Sequence, residues 1–61
     1  MDFKRLTSLR TRAPVDINMR AVAYLERDQD HTVVHFVSVH SVNVSETPDE
    51  IHLKIPLPQA R

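Results

Sequence analysis

Val15-Asp16-Ile17-Asn18-Met19-Arg20-Ala21-Val22-Ala23-Tyr24-Leu25 is the stretch on which the fold turns. Its odd positions, Val15, Ile17, Met19, Ala21, Ala23 and Leu25, are all apolar, and Asp16, Asn18 and Arg20 lie between them. A strand places successive side chains on opposite faces, so this period of two gives one apolar face. The segment Met19–Arg27 also holds good helix formers, and Asp16 could cap a helix. On a helical wheel, however, the apolar residues scatter around the axis, whereas as a strand all six share a face. The strand reading of residues 15–27 is therefore preferred over the helical one.

Two further segments carry strand signals. His31–Val44 is rich in β-branched residues, with Val33, Val34, Val37, Val39, Val42 and Val44 around Phe36. Ile51, Leu53, Ile55 and Leu57 alternate with His52, Lys54 and Pro56. Asp28-Gln29-Asp30-His31 and Thr47-Pro48-Asp49-Glu50 bound these runs as polar turns, the second suited to a type I turn with proline in its second place. The chain has no glycine, so the first turn is expected as a four-residue loop rather than a tight two-residue one.

Requiring one apolar face selects the registers. Residues 15–25 pair with 34–44 so that partner numbers sum to 59, and the second strand pairs with residues 51–57. A slip of one residue would invert every side chain. The expected fold is mainly β, a three-stranded antiparallel meander over residues 15–57 with a short N-terminal helix or arm over residues 1–13 and a tail at 58–61. Phe3, Leu6 and Leu9 have the spacing of a short amphipathic helix, ended by Pro14. The expected core includes Ile17 and Phe36, with His40 pointing into it between Met19 and Ile55.

With 61 residues and no cysteine, the chain is one small domain without disulfides or thiolate metal sites. A domain of this size buries only about 60% of its unfolded surface, so self-association or partner docking is expected to support it. The longest apolar run, Ala21–Leu25, falls far below the roughly 20 residues of a membrane helix and the roughly 7 of a signal-peptide core. A cytoplasmic protein with no membrane partner is expected.

Net charge is zero but segregated. Residues 1–20 carry a net +3 and residues 26–50 a net −5. Lys4, Arg5, Arg10 and Arg12 form a basic arm suited to phosphates, which makes a dimeric nucleic-acid-binding regulator the alternative function. Overall neutrality, a single tyrosine and the absence of tryptophan weigh against it.

Four histidines raise the question of a metal. Under these registers none converge, so no metal and no cofactor is expected. Ser38 and His40 share a face but lack an orienting carboxylate and an oxyanion hole, and no catalytic residue is assigned. Pro56-Leu57-Pro58 lacks the PxxP spacing of a proline-rich ligand.

What the registers leave over is a second apolar patch on the opposite sheet face: Val22, Tyr24, Val37 and Val39, with His35 among them and Val33 alongside. A short helix cannot cover both faces. The expected function is a small non-enzymatic regulator or inhibitor, of the kind phages and mobile elements encode, that occludes a protein target through this patch or the free edge of the first strand. A homo-oligomer is also expected.

Overall fold

A computed structural model describes residues 2–58. It is mainly β, with a two-stranded and a three-stranded antiparallel sheet and one short helix near the C-terminus. In chain order the elements are β1 (Phe3–Thr7), β2 (Pro14–Asn18), a 3₁₀ turn (Met19–Ala21), β3 (Val22–Asp28), β4 (His31–Phe36), β5 (Ser41–Val44) and α1 (Pro48–Leu53).

The expected meander over 15–57 with an N-terminal helix is therefore corrected in four places. Phe3–Thr7 is a strand, paired antiparallel with β2 from Phe3↔Asn18 to Thr7↔Pro14. An isolated helix of this length is marginal. Strand pairing satisfies the same backbone and buries Leu6, which is 1% exposed. Leu6 is thus the one residue of the Phe3/Leu6/Leu9 set to enter the core; the other two are half-buried.

The run 15–27 is not one strand. Asn18 accepts a hydrogen bond on its side-chain oxygen from the Arg20 amide at 3.1 Å and caps the 3₁₀ turn. The turn separates β2 from β3 and sends them into different sheets. Likewise 31–44 folds back on itself: Val37–His40 is a turn, and β4 pairs with β5 from Thr32↔Val44 to His35↔Ser41. His40 consequently lies exposed in that turn rather than in the core.

The third expected strand is largely a helix. Thr47 accepts from the Glu50 amide at 3.3 Å, and Glu50 Oε1 accepts from the Thr47 amide at 2.8 Å. This reciprocal capping box, with Pro48 in the first turn, starts α1 where a type I turn was expected. Of the alternating set only Ile51 is buried; Leu53 and Ile55 are exposed.

One register stands. From Tyr24↔His35 to Asp28↔His31 the β3–β4 partners sum to 59. A bulge between Val22 and Tyr24 then shifts the pairing to Val22↔Phe36. The connecting loop is two residues long, with Gln29 at φ 57°. Positive φ at the first loop residue is the signature of a type II′ turn, whose twist matches the strands. The expected four-residue loop is replaced by this tighter one, without glycine.

The two sheets are stitched together. Leu9 N–H donates to Asn43 O at 3.0 Å and Ser45 N–H to Thr7 O at 2.9 Å, around a bridge between Ser8 and Val44. The end of β1 thus runs onto the free side of β5, and the strands wrap around one core. Leu6, Ile17, Val34, Val44 and Ile51 form its centre, and Val15, Met19, Val22, Leu25, Phe36 and Val42 pack around them. Thr32 is the one buried polar residue among the described residues, and its hydroxyl donates to Glu46 O at 2.6 Å. The Glu46 carboxylate in turn accepts from the Thr7 amide at 2.9 Å. A buried hydroxyl is tolerated because it is paired.

Candidate binding face of the β3–β4 hairpin

Strand alternation sends Thr32, Val34 and Phe36 inward from β4, and His31, Val33 and His35 outward. On β3 the outward set is Tyr24, Glu26 and Asp28; on β5 it is Ser41 and Asn43. These residues make up the outer face of the three-stranded sheet.

Tyr24 lies directly across from His35. The two rings stack with centroids 4.3 Å apart and planes 14° from parallel. His35 Nε2 sits 2.8 Å from Glu26 Oε1. Glu26 therefore fixes the imidazole, and the imidazole fixes the phenol ring. Tyr24 nonetheless remains 57% exposed. The outcome is an aromatic side chain that is open to a partner but already held in one orientation.

Val37 continues the parity of His35 beyond the end of β4, and its amide donates to Ala21 O at 2.9 Å. The turn is thereby tied to the segment that leads into β3. Val37 is 76% exposed and Val39 is 97% exposed at the turn. Val22 does not join them. The bulge at Val22–Tyr24 rotates it to the inner side, where it packs on the core. Of the five residues expected in the patch, Tyr24 and His35 are brought into contact, Val37 and Val39 lie in the adjoining turn, and Val22 is separated. Glu26 was missed, although the register that opposes Tyr24 to His35 already sets it diagonally from His35, within reach for a long side chain.

The opposite end of the face is acidic and polar. His31 lies 3.8 Å from both Asp28 and Asp30. Ser41 is the β5 partner of His35, which sets Ser41, His35 and Tyr24 in one row, with Glu26 in the next. No hydrogen bond joins Ser41 to His35 among the described residues, and the row lies on an open sheet face. Nucleophilic activation requires a serine–base hydrogen bond and an enclosed oxyanion site. Among the described residues no group of three or more His, Asp or Glu side chains could hold a metal ion.

The basic residues are dispersed. Lys4 Nζ donates to Ile51 O at 2.9 Å and ties β1 to α1. Arg5 forms a two-pronged contact with Asp16 across β1–β2, Nε to Oδ1 at 2.8 Å and Nη2 to Oδ2 at 3.1 Å. That contact holds the Asp16 carboxyl below its usual range and raises the guanidinium, in both cases chiefly through the hydrogen bonds. Arg10 and Arg12 lie in the β1–β2 connection, Arg12 at φ 62°. Arg10 lines a shallow cleft of about 340 Å³ with Ser8, Ser41, Val42 and Asn43.

Among the described residues no helix is long and apolar enough to cross a membrane. No protein-family model, no curated protein and no solved structure matches the chain.

Proposed function

We propose that this protein is a small non-enzymatic binding module, a regulator or inhibitor that occludes a protein target with the outer face of the β3–β4 hairpin and the Val37–Val39 turn. The observation that carries this reading is the Tyr24 ring, 57% exposed yet stacked on a histidine that Glu26 holds in place. Tyrosine presents a large apolar body with a polar tip and is enriched where interfaces concentrate their energy. A side chain ordered before binding loses less entropy when a partner arrives, on the order of 0.5–1.5 kcal/mol for each side chain that needs no further immobilising. Val37 and Val39, both exposed in the turn that follows β4, supply further apolar surface.

The alternative, a nucleic-acid-binding regulator, draws less support. Lys4 and Arg5 already have internal partners. Among the described residues that leaves Arg10 and Arg12, in one loop, as the part of the basic set without an internal side-chain partner, too few for a phosphate-tracking surface.

The two readings separate in an affinity capture from a cell lysate, with and without nuclease. A protein partner retained after nuclease, and lost when Tyr24→Ala and Val37→Asp are introduced together, is the expected result. Partners that vanish with nuclease, or that bind the double variant equally well, overturn the reading.

A further inference from the structure

We infer that the outer edge of β3 pairs antiparallel with β3 of a second copy, about a two-fold axis through Leu25, and joins two three-stranded sheets into one. The inference is independent of what the outer face binds, because it concerns backbone groups rather than the Tyr24 side chain.

The hydrogen-bonding pattern shows which groups are free. Phe36 N–H donates to His40 O at 3.1 Å. In an antiparallel ladder, hydrogen-bonded pairs alternate with open ones. Phe36, Val34 and Thr32 therefore turn their backbone groups toward β5, and His35, Val33 and His31 toward β3. On β3 it follows that Tyr24, Glu26 and Asp28 bond to β4, while Leu25 and Arg27 point their N–H and C=O groups away from it. The two-residue loop after Asp28 closes on the same phase. Among the described residues no backbone hydrogen bond reaches Leu25 or Arg27 from outside the β3–β4 pair. α1 lies near β3, yet Ala23, Tyr24, Glu26, Arg27 and Asp28 remain exposed. The strand contains neither proline nor glycine, so beyond the bulge at its start nothing in its backbone blocks pairing.

The occupant is selected by register. Outward groups sit on odd-numbered residues, so partner numbers in a symmetric pair must have an even sum. Centring on Arg27 sets Glu26 against Asp28. Centring on Glu26 sets it against its own copy. Like charges directly opposite are unfavourable. Centring on Tyr24 throws the hydrogen-bonded pairs onto Ala23 at the bulge and Ala21 in the 3₁₀ turn. Centring on Leu25 avoids like-charge pairs and leaves its central hydrogen-bonded pair, Leu25 with Leu25, clear of the bulge; Glu26 meets Tyr24, and only the flanking pair of Arg27 with Ala23 reaches the bulge. The strand is self-complementary in this one register, and pairing in it brings the two Tyr24–His35 stacks onto one continuous face.

The 61-residue chain tests this directly, because it has no cysteine. Four single variants report the four registers: Tyr24→Cys, Leu25→Cys, Glu26→Cys and Arg27→Cys. Each cross-links with itself only if its own position lies on the axis, since disulfides require Cα atoms within about 7 Å. Wild-type protein is expected to sediment as a dimer at micromolar concentration, and Leu25→Cys to form a covalent dimer under mild oxidation at least tenfold faster than the other three. Arg27→Pro removes an outward N–H without touching the β3–β4 ladder, and is expected to sediment as a monomer with an unchanged circular dichroism spectrum. A monomeric wild type at 100-fold higher concentration, faster cross-linking at any of the other three positions, or a folded Arg27→Pro that remains dimeric overturns the inference. If Arg27→Pro does not fold, the cross-linking order alone decides.

Discussion

Ile51 and Leu53 are two residues apart, and any strand over this segment would place them on the same face with the same burial. In α1 they part company: Ile51 is 0% exposed against Leu6, Val34 and Val44, whereas Leu53 is 83% exposed. Truncating Ile51 to alanine removes three buried carbons at about 0.8 kcal/mol each, and the unfilled cavity brings the loss to about 3–4 kcal/mol. For a domain of this size each kcal/mol shifts Tm by about 4–8 °C, so Ile51→Ala should lower it by roughly 12–30 °C. Leu53→Ala, at the surface, should stay within about 0.5 kcal/mol of wild type. Thermal and urea denaturation followed by circular dichroism measure both. Comparable losses at the two positions would refute the helix and restore a strand.

Three further perturbations probe other parts of the fold. Thr32→Val keeps the shape of the side chain but leaves the Glu46 carbonyl without its buried donor; urea melts should show a loss of about 1–3 kcal/mol, and a neutral result would mean that the hydroxyl is not structurally required. Gln29→Gly relieves a left-handed residue costing about 1–2 kcal/mol, offset by about 0.5–1 of glycine entropy, so a net gain of about 0.5–1 kcal/mol is expected in the same assay, and a loss would contradict the tight turn. Arg5→Ala should let the Asp16 carboxyl rise toward its ordinary value in an NMR titration. A carboxyl depressed by folding stabilises the native state fully above the ordinary pKa of about 3.9, and that contribution fades as pH falls through the lower folded value. The variant should therefore lose the part of wild-type acid sensitivity that Asp16 supplies, and an unmoved Asp16 titration would rule out the pairing.

Much of the β3–β4 hairpin was legible because its pattern is local. Requiring one apolar face over residues 15–25 and 34–44 gives the register that opposes Tyr24 to His35, while the stacking of the two rings emerges only from the structure. What defeated the reading was chain reversal without glycine. Arg12 and Gln29 adopt positive φ, which non-glycine residues seldom do. The 3₁₀ turn at Met19–Ala21 interrupts a run of perfect alternation, and neither proline nor glycine announces it. The same alternation concealed the break at Val37–His40. At Thr47–Glu50 a decisive signal was present and read otherwise: threonine, two residues and glutamate, with proline after the threonine, is a helix start. The alternation of Ile51, Leu53, Ile55 and Leu57 outweighed it, although a single inward position per turn suffices for so short a helix. In the candidate site, Tyr24 and His35 were found from parity, and Val22 was misplaced because a bulge shifts the face of one residue without leaving a mark in composition. Gln59, Ala60 and Arg61, assigned to a tail, lie outside the described residues.

In the proposed function a preorganised Tyr24 anchors the protein partner. The most direct measurement compares wild type with Glu26→Gln, His35→Ala and Tyr24→Ala for retention of the nuclease-resistant partner at matched concentration, with the melting curve of each variant recorded alongside. Loss of retention in the order Tyr24→Ala, then His35→Ala, then Glu26→Gln, with the fold intact in all three, is the predicted result. Full retention by a folded Tyr24→Ala variant would contradict it.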